Sequence, residues 1–384
     1  MTHPEREFYI GLMSGTSMDG VDGVLVRFDI ANRHASTKPM LHVVSHASRV
    51  LPPALRQSLM ALNQSGTDEL HRAALAANAL TQVYADVVQA LLQSSGVSAH
   101  EVQAIGAHGQ TVRHQPQLHD GVGYTLQIQQ PALLAELTGI DVVADFRSRD
   151  VAAGGQGAPL VPVFHQQVFG RAHETVAVLN IGGIANLSVL GGASSDAAVQ
   201  GFDCGPGNVL LDLWCHQHTG QPYDAQGAWA ASGQVLPDLL SRLLQEPFFQ
   251  VDPPKSTGRD LFHADWLNSH VRDFTNARPQ DVQATLTALT AQSCAADVKH
   301  HAHEARELLV CGGGALNDCL MNQLTQALPR LNVCSTATRG LPPLQVEATA
   351  FAWLARQCVK RQNGNLPSVT GARGARVLGA IYPR

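Results

Sequence analysis

The pattern that most constrains this chain is written twice. An apolar run, Phe8 to Met13, passes through a polar turn, Ser14 to Gly20, into a second run, Val21 to Phe28, with Val24, Val26 and Phe28 on one face. Val176 to Ile181, the glycine turn Gly182-Gly183-Ile184-Ala185-Asn186 and Leu187 to Leu190 repeat that order. Two apolar runs joined by a short glycine-containing turn read as an antiparallel hairpin, so a repeated hairpin predicts two lobes built alike. The length of 384 residues leaves each lobe enough chain for a core of its own. The small-residue stretch Val151 to Leu160 marks the expected boundary, giving an N-terminal lobe of 1–150 and a C-terminal lobe of 151–384.

The remaining segments alternate strand-like and helical periods, which predicts an α/β fold. Leu41 to Val50, Gln103 to His108, Tyr124 to Ile128, Asp141 to Asp145, Val199 to Asp203 and Leu308 to Cys311 read as strands. Thr67 to Gln93 carries Leu70, Ala73, Ala77, Leu80, Tyr84, Val87 and Leu91 on one helical stripe, with Gly96 beyond its end. Further helices are expected at Pro131 to Thr138, Val209 to His218, Gln283 to Lys299, Asp318 to Leu328 and Glu347 to Lys360. Asn208 is the expected N-cap of the third of these six helices.

Four stretches can carry chemistry. Ser14-Gly15-Thr16-Ser17 gathers amides and hydroxyls of the kind that hold phosphate oxygens, although a plain surface hairpin has the same outline. Gly312-Gly313-Gly314 stands between a strand and a helix, where glycine admits a ligand and the helix start supplies amides. Three consecutive glycines cost about 1 kcal/mol each relative to alanine, which argues against an idle turn. Gly106 to Arg113 projects His108, Gln110, Thr111 and Arg113 from a glycine-bounded loop suited to a polar ligand. In Gly201-Phe202-Asp203-Cys204-Gly205-Pro206-Gly207-Asn208 a carboxylate stands at a strand end before a Gly-Pro-Gly turn. Such a carboxylate can act as a base, and the same cluster also marks ordinary loops.

Composition and missing motifs exclude other classes. A net charge of −5, with four lysines among 26 basic residues, offers no polybasic surface for nucleic acid or anionic lipid. Seven scattered cysteines form no CxxC pairs or disulfide framework, as expected in a reducing cytoplasm, and neither a leader nor a membrane span is apparent. There is no Walker A lysine and no GxGxxG, and Lys255-Ser256-Thr257-Gly258 lacks the Ser-x-x-Lys that serine acyl-enzymes require. His216 and His218, like His300, His301 and His303, have no HExxH frame and read as solvated histidines at helix ends.

Taken in order, Gly11 to Asp22, Gly106 to Thr111, Asp145 to Arg147 with Gly154 to Pro159, Leu179 to Gly183, Gly201 to Asn208 and Cys311 to Asn317 resemble the sugar kinases of the actin, hexokinase and chaperone ATPase superfamily. Within it they are similar to the anhydro-N-acetylmuramic acid kinase family, over nearly the whole chain. The resemblance implies two lobes of duplicated ribonuclease-H-like mixed five-stranded sheets with flanking helices, ATP in the interlobe cleft, and a sugar opened with water and phosphorylated on O6. It implies Asp203 as catalytic base. Gly15, Thr16, Ser17, Met18, Asp19, Gly20, Val21 and Asp22, with Gly182, Gly183, Gly312, Gly313 and Gly314, would bind ATP. His108, Gln110, Thr111, Asp145, Arg147 and Gln156 would contact the sugar. Many superfamily members carry carboxylates near the positions of Met13 and Asn180, so the Mg²⁺ ligands stay open, with Asp19 or Asp22 reaching the ion through water. A cytoplasmic homodimer acting on a small sugar, with neither nucleic acid nor membrane as partner, completes the expectation.

Overall fold

The repeated hairpin begins a repeated sheet. The protein is described by a computed structural model over residues 6–15, 18–29, 40–192 and 199–384. Thr16 and Ser17 lie outside the described residues. The chain divides into one unit of Met1–Gln167 with Gln345–Arg384 and another of Val168–Leu344.

In the first unit β1 (Arg6–Met13), β2 (Gly20–Asp29) and β3 (Met40–Val50) form an antiparallel meander. Next to β1, β4 (Val102–Ala107) runs parallel to it, and a small antiparallel ribbon, β5 (Gln110–Pro116) with β6 (Gly123–Ile128), precedes β7 (Val142–Ala144), parallel to β4. The second unit repeats that plan. β8 (Val176–Ile181), β9 (Ile184–Leu190) and β10 (Gln200–Pro206) form its meander, and β11 (Glu307–Cys311) and β12 (Asn332–Ser335) run parallel to β8. The spatial orders β3-β2-β1-β4-β7 and β10-β9-β8-β11-β12 are the same path. The first sheet differs from the expected five strands by a sixth, β13 (Ala380–Tyr382), paired antiparallel with β7. Its three residues were too few for a period-two signal.

The boundary expected near residue 150 is corrected. Residues up to Gln167 stay with the first unit, and Gln345–Arg384, expected in the C-terminal lobe, returns to it. The reason lies in the first sheet. Gly11 of β1 and Gly106 of β4 are direct neighbours in parallel register. A Cβ on Gly11 would stand 1.8 Å from the carbonyl oxygen of Ala348, and one on Gly106 2.1 Å from that of Phe351. These two glycines therefore form the bare patch against which the helix Val346–Val359 lies backbone to sheet. Glu7 of β1 holds the same helix by ion pairs to Arg356, at 3.0 Å, and to Lys360.

Helix Glu69–Ser95 packs on the meander through Leu80, Tyr84, Val87 and Leu91, and Gly96 ends it in the left-handed conformation. Leu70, expected on the same stripe, is 89% exposed, because it belongs to the first turn, beyond the edge of the sheet's core. In the second unit the sheet core is joined by another apolar cluster, in which Trp214, Phe248, Phe262 and Trp266 pack with Leu286 and Leu289 of helix Pro279–His301.

Gly106→Ala is expected to cost about 3 kcal/mol, at the upper end of overpacking penalties, because its new methyl meets backbone that cannot rotate away. Thermal unfolding checks it, and a variant as stable as the parent would mean that the helix lifts without cost.

Candidate functional site

The second unit builds its candidate site around a break in β10. The pairing of β10 with β9 slips between Asp203 and Gly205, leaving Cys204 as the extra residue of a bulge. Bulges re-aim side chains, and here the half-buried Asp203 is the residue re-aimed. Its backbone N–H donates to the carbonyl of Lys255 at 3.2 Å, and its Oδ2 accepts the N–H of Thr257 at 3.0 Å. The segment after Asp252 thus fixes both the backbone and the carboxylate of Asp203. Cys204 is no second nucleophile, since burial and then the neighbouring Cys294 push its thiol well above the usual range.

Lys255 has a structural role. Its ammonium is 3.1 Å from Oδ1 of Asp297, with the side chain 2% exposed, and lies over the rings of Phe202 and Phe248 at 5.7 and 5.2 Å. A buried lysine needs such a partner because an uncompensated buried charge costs several kcal/mol.

The turn after Asp203 is tied to the β8–β9 tip. The N–H groups of Gly207 and Val209 donate to the carbonyl of Gly183 at 2.9 and 3.1 Å, and that of Asn208 to Gly182 at 2.8 Å. Asn208 does not cap the helix Val209–Thr219 with its side chain. It already has helical φ and ψ, and its Nδ2 donates to the carbonyl of Ile181 at 3.1 Å, binding the helix start to the hairpin.

The three glycines after β11 differ in kind. Gly312 has φ 77°, and a Cβ there would stand 2.5 Å from Oδ1 of Asn180. Gly314 presses on Ile181, where a Cβ would come within 2.4 Å of Cγ2. Gly313 alone has room, its hypothetical Cβ lying 3.4 Å from Nδ2 of Asn208. Beside this loop Oδ1 of Asn180 is buried without a hydrogen-bond partner among the described residues. The first and third glycines are therefore fixed by folding, and only the middle one keeps space around it.

In the first unit the hairpin tip is held from inside. The Ser14 hydroxyl is 2.9 Å from that of Tyr84 and donates to the carbonyl of Gly109 at 3.1 Å. The carbonyl of Gly15 accepts the N–H of Met18, buried with φ 54°, and Nε2 of Gln110, at 3.1 and 3.2 Å. Gly20, Val21 and Asp22 open β2. Asp19 and Asp22 face outward, 64% and 48% exposed, near Arg56 at 3.3 Å and His46 at 3.6 Å. Oxygens so exposed suit a Mg²⁺ ion that keeps its waters.

His108 and Arg147 meet directly. Nε2 of His108 accepts Nε and Nη2 of Arg147 at 3.1 and 2.9 Å, and Nη1 of Arg147 donates to the carbonyl of Gly157 at 2.8 Å. A guanidinium only donates, so Nε2 carries no proton. Burial, and next the Arg147 charge, hold this imidazole well below its usual pKa, and it stays neutral. Thr111 accepts Nε2 of Gln127 at 3.2 Å, and the backbone N–H of Gln156 donates to the carbonyl of Thr370 at 2.7 Å. Asp145 is exposed with φ 57°. A non-glycine residue held there costs about 1–2 kcal/mol, the kind of strain that gathers at working sites.

Sequence reasoning assigned no role to Asp150. Fully buried, it accepts the N–H of Gly157 at 2.8 Å, Nδ2 of Asn365 at 2.6 Å and the hydroxyl of Thr370 at 2.8 Å. It fastens the glycine stretch around Gln156 to the returning C-terminal segment. No local pattern links Asp150 to partners that far along the chain.

The two sheets share one topology, with glycine turns at matching strand ends, and it is the family match that makes this chain an ATP-using phosphotransferase. The chain belongs to the anhydro-N-acetylmuramic acid kinase family, whose profile it matches over residues 7–384. It is 60% identical over 379 residues to the anhydro-N-acetylmuramic acid kinase of Variovorax paradoxus, covering 98% of this chain and 99% of that one. Its counterparts in Cupriavidus metallidurans and Albidiferax ferrireducens are 59% and 58% identical, over 380 and 394 residues. Those alignments cover 98% of this chain in each case, and 98% and 99% of the relatives.

Lys255→Met is expected to destabilise the protein by about 3–5 kcal/mol by stranding Asp297, and Lys255→Met with Asp297→Leu to recover most of that. Thermal unfolding of both decides, and an unchanged melting temperature for the single variant would contradict the pairing.

Proposed function

We propose that this protein uses ATP and water to convert 1,6-anhydro-N-acetylmuramic acid into N-acetylmuramic acid 6-phosphate and ADP, as in the recycling of cell-wall murein. The observation that carries the reading is the carboxylate of Asp203, set at a bulge and aimed by the Thr257 N–H, in a chain of this family.

The anhydro sugar has O6 bonded to C1, so it offers no hydroxyl there. Asp203 takes a proton from water as the water oxygen attacks C1. The C1–O6 bond breaks, and O6 attacks the γ-phosphorus of ATP as ADP leaves, so the phosphoryl group takes the place of the acid that an inverting glycosidase would use. Gly313, with Gly182 and Gly183, would approach the phosphates, and Gly15 to Asp22 would do so from the first hairpin. Asp19 or Asp22 would hold Mg²⁺ through water, and the ion would offset phosphate charge. Arg147, Asp145, Thr111 and Gln156 would contact the sugar. His108 and Gln110, with side chains already engaged by Arg147 and Gly15, would hold that surface in shape. Among the described residues no helix is long and apolar enough to cross a membrane. A homodimer in the cytoplasm completes the reading.

ADP release measured with the anhydro sugar, with free N-acetylmuramic acid and without sugar tests this function. Turnover should need the anhydro sugar, and Asp203→Asn should lower kcat by about 10²–10⁴ without lowering the melting temperature. Gly313→Val, in the one roomy position of its loop, should fold and raise the KM for ATP. Equal turnover of free N-acetylmuramic acid, or an Asp203→Asn variant of parental kcat, would contradict the reading.

A further inference from the structure

The histidines that end helix Pro279–His301 have a partner that the sequence pattern did not show. Asp252, distant in the chain, comes to His300 and His301, and one ligand atom from each of the three lies within 4.8 Å of the others. We propose that Asp252, His300 and His301 form a binding site for a borderline transition-metal cation of the Zn²⁺ type.

Two imidazoles and one carboxylate are a donor set for zinc, cobalt or nickel, whereas Mg²⁺ prefers oxygen alone. A tetrahedral zinc with bonds of about 2.0–2.1 Å places its ligand atoms about 3.3 Å apart, a contraction that exposed side chains achieve by rotating. Asp252 and His300 are exposed and free to make that adjustment, and His301 is the more fixed of the three. The ring of His301 stands edge-on to Phe202 at 4.8 Å, and its Nε2 lies 4.0 Å from Oδ1 of Asp297, the carboxylate that also holds Lys255. At 4.0 Å that contact is electrostatic rather than a hydrogen bond, so the ring contact with Phe202 is what limits the His301 imidazole. On the other side Pro253 and Pro254 restrict the link from Asp252 to the anchored Lys255. The cation would cross-link the end of the helix to the segment whose Thr257 N–H holds Asp203. Its ligands would be residues other than Asp19 and Asp22, the carboxylates proposed for magnesium.

Isothermal titration of the full chain with Zn²⁺ alone, at neutral pH and without nucleotide, tests the site. With eighteen histidines in the chain the reading is the number of tight equivalents rather than total zinc. The parent should bind one equivalent more tightly than any others and should melt at a higher temperature with zinc than without. His300→Ala and Asp252→Asn, each altering an exposed side chain, should melt as the parent does without metal. Each should bind that equivalent about 100-fold more weakly or worse, at or beyond the upper end of the 10- to 100-fold cost of losing an orienting group. A parent with no tight equivalent, or variants that keep it at parental affinity, would overturn the site.

Discussion

The second unit depends on the pair of hydrogen bonds that join Asp203 to the segment behind it. The Asp203 N–H reaches Lys255 and its carboxylate takes the Thr257 N–H, so a strand end that breaks register is still held on both sides. What holds that segment is the buried Lys255–Asp297 pair, fastened to the central helix of the unit. A carboxylate left to solvent would sample several rotamers. Under the proposed mechanism this fixed positioning is where Asp203, as the base, would gain rate, by facing a water in line with C1.

Glycine serves two ends here, and the fold claims most of it. Gly11 and Gly106 admit a helix to the first sheet, Gly207 lets the turn after Asp203 reach the hairpin, and Gly312 and Gly314 fit against Asn180 and Ile181. Gly313 is the exception, and the unpartnered oxygen of Asn180 lies beside its loop. A glycine-rich motif is thus a mixture of positions that packing dictates and positions that packing leaves open.

Much of this was legible from local pattern. The hairpins, the helix Pro131–Thr138 and the strand Val176–Ile181 follow from period and turn chemistry that need only a few neighbouring residues. The path of the C-terminal segment was not legible, because Gly11 and Gly106 look like ligand glycines until the helix Val346–Val359 is seen against them. Asn208 has the right type for a cap, yet the carbonyl of Ile181 competes for its side chain. The same limit hid the roles of Asp150 and Lys255 and the approach of Asp252 to His300 and His301. Each is a contact between residues far apart in sequence, set by packing rather than by propensity.

The central claim is that Asp203 directs water to C1 while O6 leaves to phosphorus. Running the reaction in ¹⁸O-water and locating the label in the product by mass spectrometry and NMR tests it most directly. The label should appear on the C1 hydroxyl, first in the inverted anomer, with none in the phosphate. Label in released phosphate, or a sugar phosphate carrying no label at C1, would contradict it.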